Sequence, residues 1–354
     1  MNIMKNIISL IFVAILLTNC HGLSESFKRS AVGNPYEVLV VCDEPFWGSP
    51  AGRAIFNALD TDVPGLPQSE RSFRISRVSE ANFSGMIKPF RNVITVDVND
   101  RMYTKTSFKY SRDPFATPQM IMTIQSPDNY EMAEYINKNK QVIVDFFNAA
   151  EMNRQIDNLK AKHSESALAT TKDIFDCELL IPTELNGEKR GENCVWFSDF
   201  NSTNPDILSF VMYSYPYTSV DNFSKENYIH VRDSVMMVNM PGGKPGQYIQ
   251  TDSLFVEITE TSDRDRYMQV ARGLWYMKDD MMGGPFVSHS MVDEKNGRVI
   301  VVEAFVYAPN KKKGATMRKL EASLYTLKLP VDKMLENSTH IPEIVVEADG
   351  EETK

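Results

Sequence analysis

Two adjacent carboxylates and a tryptophan follow the first strand that the sequence predicts. Residues 36–42 form a nearly continuous apolar run with β-branched members, which is typical of a strand buried on both faces. Asp43 and Glu44 come directly after it, and Trp47 follows closely. In an open α/β sheet, ligands bind at the carboxyl ends of the strands. These three residues are therefore candidates for a carboxylate and aromatic site that takes a sugar or a cation; the alternative is a surface loop with its tryptophan packed on the sheet.

Three tyrosines form a second candidate binding surface. Tyr213, Tyr215 and Tyr217 alternate at the end of a predicted strand, residues 207–215. Side chains with a period of two lie on one face of a strand. The three rings are candidates for a platform that binds a glycan or a protein partner. The alternative is a sheet face that belongs to the core or is covered by a helix.

The cysteines suggest one disulfide. Two strands are predicted on either side of an Asn-Gly turn at residues 186–187, and Cys177 and Cys194 lie at nearly equal distances from it. Paired residues of such a hairpin are close enough to bond, so we predict a Cys177–Cys194 disulfide. Cys42 lies in an apolar strand and is expected to pack as a small hydrophobic residue. The alternative is that all three thiols are buried and reduced.

The remaining polar residues give no motif for catalysis or for a metal. The chain has five histidines, none in a His-x-x-x-His pair, and it has no Cys-x-x-Cys motif, so no zinc site and no cofactor are predicted. A Gly-x-Ser-x-Gly elbow is also absent from the sequence. His289 alternates with Val287 and Met291, which predicts a half-buried structural histidine. No catalytic residue is assigned, and Asp43 or Glu44 acting as a general acid/base is the alternative.

The first twenty residues have the layout of a secretory signal peptide. Lys5 precedes an apolar run over residues 7–17, in which Ser9 is the one polar residue, and the run ends in Leu17-Thr18-Asn19-Cys20. The run is shorter than the roughly 20 residues that span a bilayer. Leu-Thr-Asn-Cys resembles a bacterial lipobox, whose cysteine is lipidated and becomes the new N-terminus. We predict a signal peptide at residues 1–19 and lipidation of Cys20; the alternative is ordinary cleavage with an incidental cysteine.

Composition limits the classes of protein and partner. The chain has 354 residues with 42% hydrophobic and 24% charged residues, as in an ordinary globular protein. Its formal net charge is −9, and it has no stretch that combines clustered Lys and Arg with aromatic residues. This composition argues against binding to nucleic acid. The length favours two domains.

The pattern along the chain predicts an α/β domain followed by an α+β domain. Strands alternate with helices in the first domain, which predicts a mixed sheet, and strands dominate the second, which predicts a mainly antiparallel sheet with packed helices. Asn-Gly at residues 296–297 is the clearest hairpin turn, whereas residues 271–277 are ambiguous. The predicted divisions are a lipid-anchored tether at 20–34, domains at 35–165 and 166–330, and an acidic disordered tail at 331–354.

The sequence resembles a family of bacterial envelope lipoproteins that is defined by a domain of unknown function, number 4837. The resemblance lies in the lipobox at Cys20, in Arg-Gly-Leu-Trp at 272–275, in Gly-Gly-Pro-Phe-Val at 283–287, and in Val-Val-Glu-Ala-Phe-Val-Tyr-Ala-Pro at 301–309. It would cover most of the chain after Cys20. The family implies a place in the cell envelope and brings no activity and no catalytic residues.

Together these patterns predict a lipid-anchored envelope protein with a non-catalytic binding or assembly role. The expected location is the outer membrane, facing the periplasm, because His21 follows Cys20 and no dense acidic run comes after it. The expected partners are the membrane, through the N-terminal lipid, and a glycan or another envelope protein. The alternative function is an envelope hydrolase with a carboxylate general acid/base.

Overall fold

The computed structural model describes residues 29–200, 205–264 and 266–335. Within this part, the chain forms two compact units. The first unit contains residues 29–60 and Phe73–Phe147, and the second contains Thr61–Ser72 and residues 148–335. The predicted signal peptide and Cys20 lie outside the described residues, and so does most of the predicted acidic tail.

The first unit is built on a five-stranded mixed sheet. Its strands have the order β3-β2-β4-β7-β5, and only β5 is antiparallel to its neighbour. A separate two-stranded sheet pairs β1 with β6. The strands are β1 (Arg29–Ser30), β2 (Glu37–Val41), β3 (Arg74–Val78), β4 (Asn92–Val98), β5 (Ser107–Arg112), β6 (Ala116–Thr117) and β7 (Met120–Ser126).

Helices cover one face of this sheet. Strand β2 is buried along its whole length, as its apolar run predicts. The Ser49 hydroxyl accepts a hydrogen bond from the Gly52 N–H and caps the second helix, and Pro50 begins it. The helices are α1 (Glu44–Trp47), α2 (Pro50–Leu59), α3 (Asn129–Lys138) and α4 (Lys140–Ala161), of which α4 continues into the second unit.

The first unit begins earlier in the chain than the predicted tether allows. Strand β1 pairs in parallel with β6, and Val32 forms a bridge with Phe90, so the chain is part of the first unit from Arg29 onward. The prediction that residues 20–34 are a tether is therefore wrong for residues 29–34. A short run of polar residues paired with a distant strand carries no local pattern that would reveal it.

The second unit contains an eight-stranded antiparallel sheet. The order is β11-β13-β14-β15-β10-β9-β8, and β12 also pairs with β13. The mixed sheet of the first domain and the antiparallel sheet of the second confirm the predicted fold class. The strands are β8 (Gly187–Gly191), β9 (Cys194–Ser198), β10 (Ile207–Pro216), β11 (Ile249–Thr251), β12 (Glu257–Asp263), β13 (Arg266–Met277), β14 (Gly283–Asp293) and β15 (Arg298–Tyr307).

Helices lie on both faces of this sheet, and each face has its own core. On the first face, Phe175 and Leu320 from two helices pack with Phe210 and Val302 from the sheet. On the second face, Tyr228 from another helix packs with sheet residues such as Phe286 and Phe305. The helices are α5 (Glu165–Phe175) and α7 (Gly314–Leu324) on the first face, α6 (Lys225–Asn239) on the second, and the terminal α8 (Pro330–Leu335).

The boundaries of the units differ from the predicted domain boundaries. The second unit takes Thr61–Ser72 from within the predicted first domain and begins again at Asn148. Glu70 holds this segment in the second unit, because its carboxylate accepts hydrogen bonds from the N–H groups of Lys313 and Gly314, at 2.7 and 2.9 Å. It thereby caps α7, whose own N-cap residue makes no side-chain cap. Helix α8 also occupies the start of the predicted tail.

The predicted Cys177–Cys194 disulfide is wrong in this structure. Strand β9 pairs with β8, where Cys194 lies opposite Gly191, and the segment around Cys177 follows α5 as a loop. Cys177 belongs to the core on the first face of the sheet and Cys194 to the core on the second. The Cys177 thiol donates to the Phe175 carbonyl at 3.2 Å, and burial raises the pKa of Cys194 to about 12.

Candidate functional site

A cleft lies at the carboxyl edge of the parallel strands in the first unit. Its volume is about 790 Å³. Strands β2, β4 and β7 form its base, and the segments after β2 and β3 form its sides. Its lining includes three carboxylates, two threonines and a phenylalanine: Asp43, Glu80, Asp97, Thr95, Thr123 and Phe83.

Three carboxylates reach this cleft from three neighbouring strands. Asp43 follows β2, Glu80 begins a 3₁₀ turn after β3, and Asp97 lies near the end of β4. Because these strands are parallel and adjacent, their carboxyl ends meet at one edge of the sheet. Among the described residues that line the cleft there is no lysine or arginine. The local potential therefore favours a cationic group or a hydrogen-bond donor.

Asp97 and two threonines form the ordered polar part of the cleft. The Tyr103 hydroxyl donates to the Asp97 carboxylate at 2.5 Å, and the Gln125 amide donates to the Tyr103 oxygen at 2.8 Å. The hydrogen bond to Asp97 raises the pKa of Tyr103. The hydroxyls of Thr95 and Thr123 are 2.7 Å apart on neighbouring strands. The hydrogen bond from Tyr103 fixes the orientation of Asp97 before any ligand arrives, and the contact between the two hydroxyls orients the threonines.

Only one of the three residues predicted after β2 lines the cleft. Asp43 does so, whereas Glu44 forms a close ion pair with Arg77 on β3. Trp47 is half-buried and packs edge-on against Phe56, with ring centroids 6.2 Å apart. The sequence placed Glu44 and Trp47 near the site but could not show that a short helix, α1, turns them away from it.

The charged residues near the cleft shift the pKa of the Cys42 thiol. Cys42 is buried at the end of the apolar run. Burial raises the pKa of the Cys42 thiol to about 11, Arg77 opposes this shift, and the nearby charges of Asp43, Glu80 and Glu44 add to it. Cys42 is thus held as a neutral thiol at physiological pH and packs in the first core, as the sequence predicted.

Glu80 and Asp97 were not predicted from the sequence. Each follows or ends a predicted strand, but membership of one cleft depends on the strand order β3-β2-β4, which local pattern does not give. The signal that was available is the position of each carboxylate at the carboxyl end of a strand. Within the described residues, no group of three or more His, Cys, Asp or Glu side chains is arranged to hold a metal ion.

The prediction that three tyrosines form an exposed binding platform is wrong. Tyr213, Tyr215 and Tyr217 do share a face, but that face belongs to the core under α6. Tyr213 is fully buried, and the half-buried Tyr215 donates to the Asn222 carbonyl at 3.3 Å. Burial raises the pKa of Tyr215 to about 12. The prediction that the three side chains share one face was correct. Whether that face is exposed depends on α6, which comes later in the sequence and packs against it.

A buried polar network in the same core was also not predicted. Arg232 on α6 and Glu303 on β15 are both fully buried and form two hydrogen bonds, at 2.9 and 2.7 Å. Arg232 also donates to the Thr251 hydroxyl at 2.8 Å and lies over the Phe286 ring. Burial alone would lower the pKa of Arg232, but the charge of Glu303 outweighs it and raises the pKa. This network joins α6 to the sheet.

Comparison with protein-family models gives two matches. Residues 31–160 match a domain of unknown function, DUF8532, and residues 164–326 match a second domain of unknown function, DUF4837. Comparison with curated proteins gives no match. No helix among the described residues has the length and apolar character to cross a membrane. The predicted resemblance to DUF4837 is therefore supported over residues 164–326, a shorter part of the chain than expected.

Proposed function

We propose that this protein is a lipid-anchored envelope protein that binds a hydroxyl-rich or cationic ligand, without chemical conversion, in the cleft of the first unit. The observation that carries the proposal is the cleft itself. It lies where parallel sheets bind their ligands and brings together Asp43, Glu80 and Asp97. No comparable convergence of polar side chains opens to solvent at the tyrosines, since that face is core.

The lining chemistry suits a glycan. Carboxylates accept hydrogen bonds from sugar hydroxyls and amines, and the threonine hydroxyls both donate and accept. Phe83 is half-buried at the cleft and rests edge-on against Phe115, so it offers an apolar surface of fixed orientation. Glycan rings present both polar edges and apolar faces. An envelope glycan that carries ammonium groups would satisfy all these side chains; a basic segment of another envelope protein is the second kind of partner.

Replacing either cleft aspartate is expected to weaken ligand binding. Oligomers of glucosamine are a suitable probe, because they carry hydroxyls and ammonium groups, and isothermal titration at low salt measures their affinity. Asp43→Asn and Asp97→Asn should each weaken binding about tenfold, since each removes a charge-assisted contact of about 1.5 kcal/mol. Asp100→Asn is the control, because Asp100 is exposed and outside the cleft lining. Equal affinities for all four proteins would refute the assignment of the cleft.

A hydrolase is the alternative function, and one observation favours it. Asp43 and Asp97 line the same cleft, so an acid and a base could act on a bond between them. Glu44, the other predicted acid/base residue, is engaged by Arg77. Release of reducing ends from the glucosamine oligomers, abolished by Asp43→Asn, would favour this alternative over simple binding.

Anchoring rests on the N-terminal sequence. The apolar run at residues 7–17 and the Leu-Thr-Asn-Cys pattern support cleavage before Cys20 and its acylation. A single acyl chain binds a protein to a membrane only weakly, whereas two or three acyl chains anchor it stably. The proposed location is the outer membrane, facing the periplasm.

Replacing Cys20 is expected to release the protein from the membrane. In Cys20→Ala, the thiol that would carry the lipid is missing, so the protein should move from the membrane fraction to the soluble fraction of lysed cells. Fractionation and intact mass of the N-terminal peptide measure this. Unchanged membrane retention, or a wild-type peptide without lipid mass, would contradict it.

A further inference from the structure

A histidine without hydrogen-bond partners lies in the core of the second unit. His289 on β14 is fully buried, between Val287 and Met291 on the face that α7 covers. Among the described residues, neither ring nitrogen finds a hydrogen-bond partner. The ring packs edge-on against Tyr325, with centroids 4.6 Å apart and an angle of 72° between the planes. The predicted half-buried histidine is thus fully enclosed, in an environment that suits a phenylalanine better.

The charged groups near His289 are already engaged with each other. Glu321 faces it from α7 and Arg272 faces it from β13. The Arg272 guanidinium donates to the Glu321 carboxylate at 3.0 Å and makes a second, shorter contact with it. From β15, the residue opposite His289 is the uncharged Val302.

Among the described residues, Glu321 is the only carboxylate whose charge acts on the His289 imidazole. On β14 itself, the nearest carboxylate along the same face is Asp293, which pairs with Arg298 at 2.9 Å. Arg318 on α7 acts on Glu321 and adds positive charge to this side of the helix. A protonated His289 would therefore meet one carboxylate that is already neutralised and one or more guanidinium groups.

Protonation of His289 is consequently unfavourable in the folded state. Burial lowers the pKa of His289 to about 4; the charge of Glu321 opposes this shift and that of Arg272 adds to it. In an unfolded segment, the pKa of a histidine is about 6.5. Between pH 6.5 and pH 4, a locally opened state that exposes His289 therefore binds more protons than the folded state. Local opening becomes easier as the pH falls through this range.

We propose that His289 is an acid-sensitive latch of the α7 face: uptake of a proton by its imidazole releases α7 and β14 from each other, while α6 keeps its packing on the opposite face. The step involves only a proton from solvent. Above pH 6.5 the latch is closed, and it weakens progressively toward pH 4. From pH 7 to pH 4.5, the equilibrium for local opening should rise on the order of 50-fold.

Hydrogen–deuterium exchange of the whole protein tests the latch. Exchange is measured at pH 7 and pH 4.5, corrected for the intrinsic effect of pH on exchange rates, in peptides from α7, β14 and α6. In the wild type, opening of α7 should increase on the order of 50-fold. Exchange in α6 should change much less, as should exchange in β14, whose backbone stays hydrogen-bonded to β13 and β15. In His289→Phe, which keeps a ring against Tyr325 and cannot titrate, the increase should disappear.

A second variant keeps the test decisive. If His289→Phe does not fold, His289→Gln removes the titration with a smaller, neutral side chain. An unchanged exchange rate in wild-type α7, an equal increase in α6, or the same increase in either variant would each overturn the proposal. The carboxyl of Glu321 contributes little to this increase. Its pKa is lowered in the folded state and its ordinary value is about 4.3, so at pH 4.5 it adds less than about twofold to opening, equally in the wild type and in both variants.

Discussion

Replacing Glu303 by leucine is expected to destabilise the second unit by about 3–5 kcal/mol. The substitution leaves the guanidinium of Arg232 fully buried without its carboxylate, and an unpaired buried charge is among the most costly defects in a core. The Thr251 hydroxyl remains at 2.8 Å from Arg232, and the partly exposed Asp233 carboxylate remains at 3.8 Å. Asp233 already accepts a hydrogen bond from Thr251, and its longer contact does not replace the two hydrogen bonds to Glu303. Urea unfolding measures the loss, with the fluorescence of Trp196 and Trp275 as the signal.

Two design choices make this measurement specific. A Trp47→Phe background removes the only tryptophan of the first unit, so that the fluorescence reports the second unit. The double variant Arg232→Met with Glu303→Leu is the matched control, because it removes both charges and should recover most of the lost stability. A loss below about 1 kcal/mol in Glu303→Leu, or no recovery in the double variant, would contradict the role of this ion pair.

Replacing Gly284 by alanine is expected to cost about 3 kcal/mol or more. Gly284 lies on β14 opposite Trp275, and a β-carbon at this position would overlap the backbone carbonyl oxygen of Val306. Backbone atoms of a sheet cannot move aside as a flexible side chain does, so the strands must separate. The physical reason for a glycine in the Gly-Gly-Pro-Phe-Val segment is therefore this close approach.

Gly243→Ala is the matched control for Gly284→Ala. An added β-carbon at Gly243 has no atom within 4 Å, and its effect should stay within about 0.5 kcal/mol. The same fluorescence-monitored unfolding compares the two variants. Similar stabilities for both would show that Gly284 is not required by the close approach.

Local patterns predicted those parts of the fold that depend on neighbouring residues. The buried strand β2, the cap at Ser49 and the hairpin β14–β15, with Gly297 at a φ of +61°, all follow from residues close in sequence. Residues 271–277 of β13 were ambiguous because their polarity does not alternate, whereas their burial does: Ala271, Gly273 and Trp275 are buried and the residues between them are more exposed.

Errors arose wherever a distant partner decides the outcome. The hairpin assigned to Cys177 and Cys194 had a plausible turn, but β8 begins within the expected turn and pairs with β9 instead. The two cysteines then lie on opposite faces of the sheet. The tyrosines of β10 likewise needed knowledge of where α6 packs.

For the candidate site, sequence identified one of the three cleft carboxylates. Asp43 was predicted because it directly follows a strand of unmistakable character. Glu80 and Asp97 join it only through the parallel strand order, and Glu44 leaves it only through its contact with Arg77. The strand order and the contact between Glu44 and Arg77 both arise only when the sheet is assembled.

Chemical-shift mapping of the first unit, within the whole protein, tests the central claim most directly. Glucosamine oligomers are titrated into protein with labelled threonine methyl groups, at low salt. We expect saturable shifts at Thr95 and Thr123, which line the cleft, and a midpoint of these shifts at about tenfold higher ligand concentration in Asp97→Asn. Thr170 and Thr171, buried on α5 in the second unit, should not respond. Shifts confined to the second unit, or shifts at Thr95 and Thr123 that persist unchanged in Asp97→Asn, would contradict the proposal that this cleft binds the ligand.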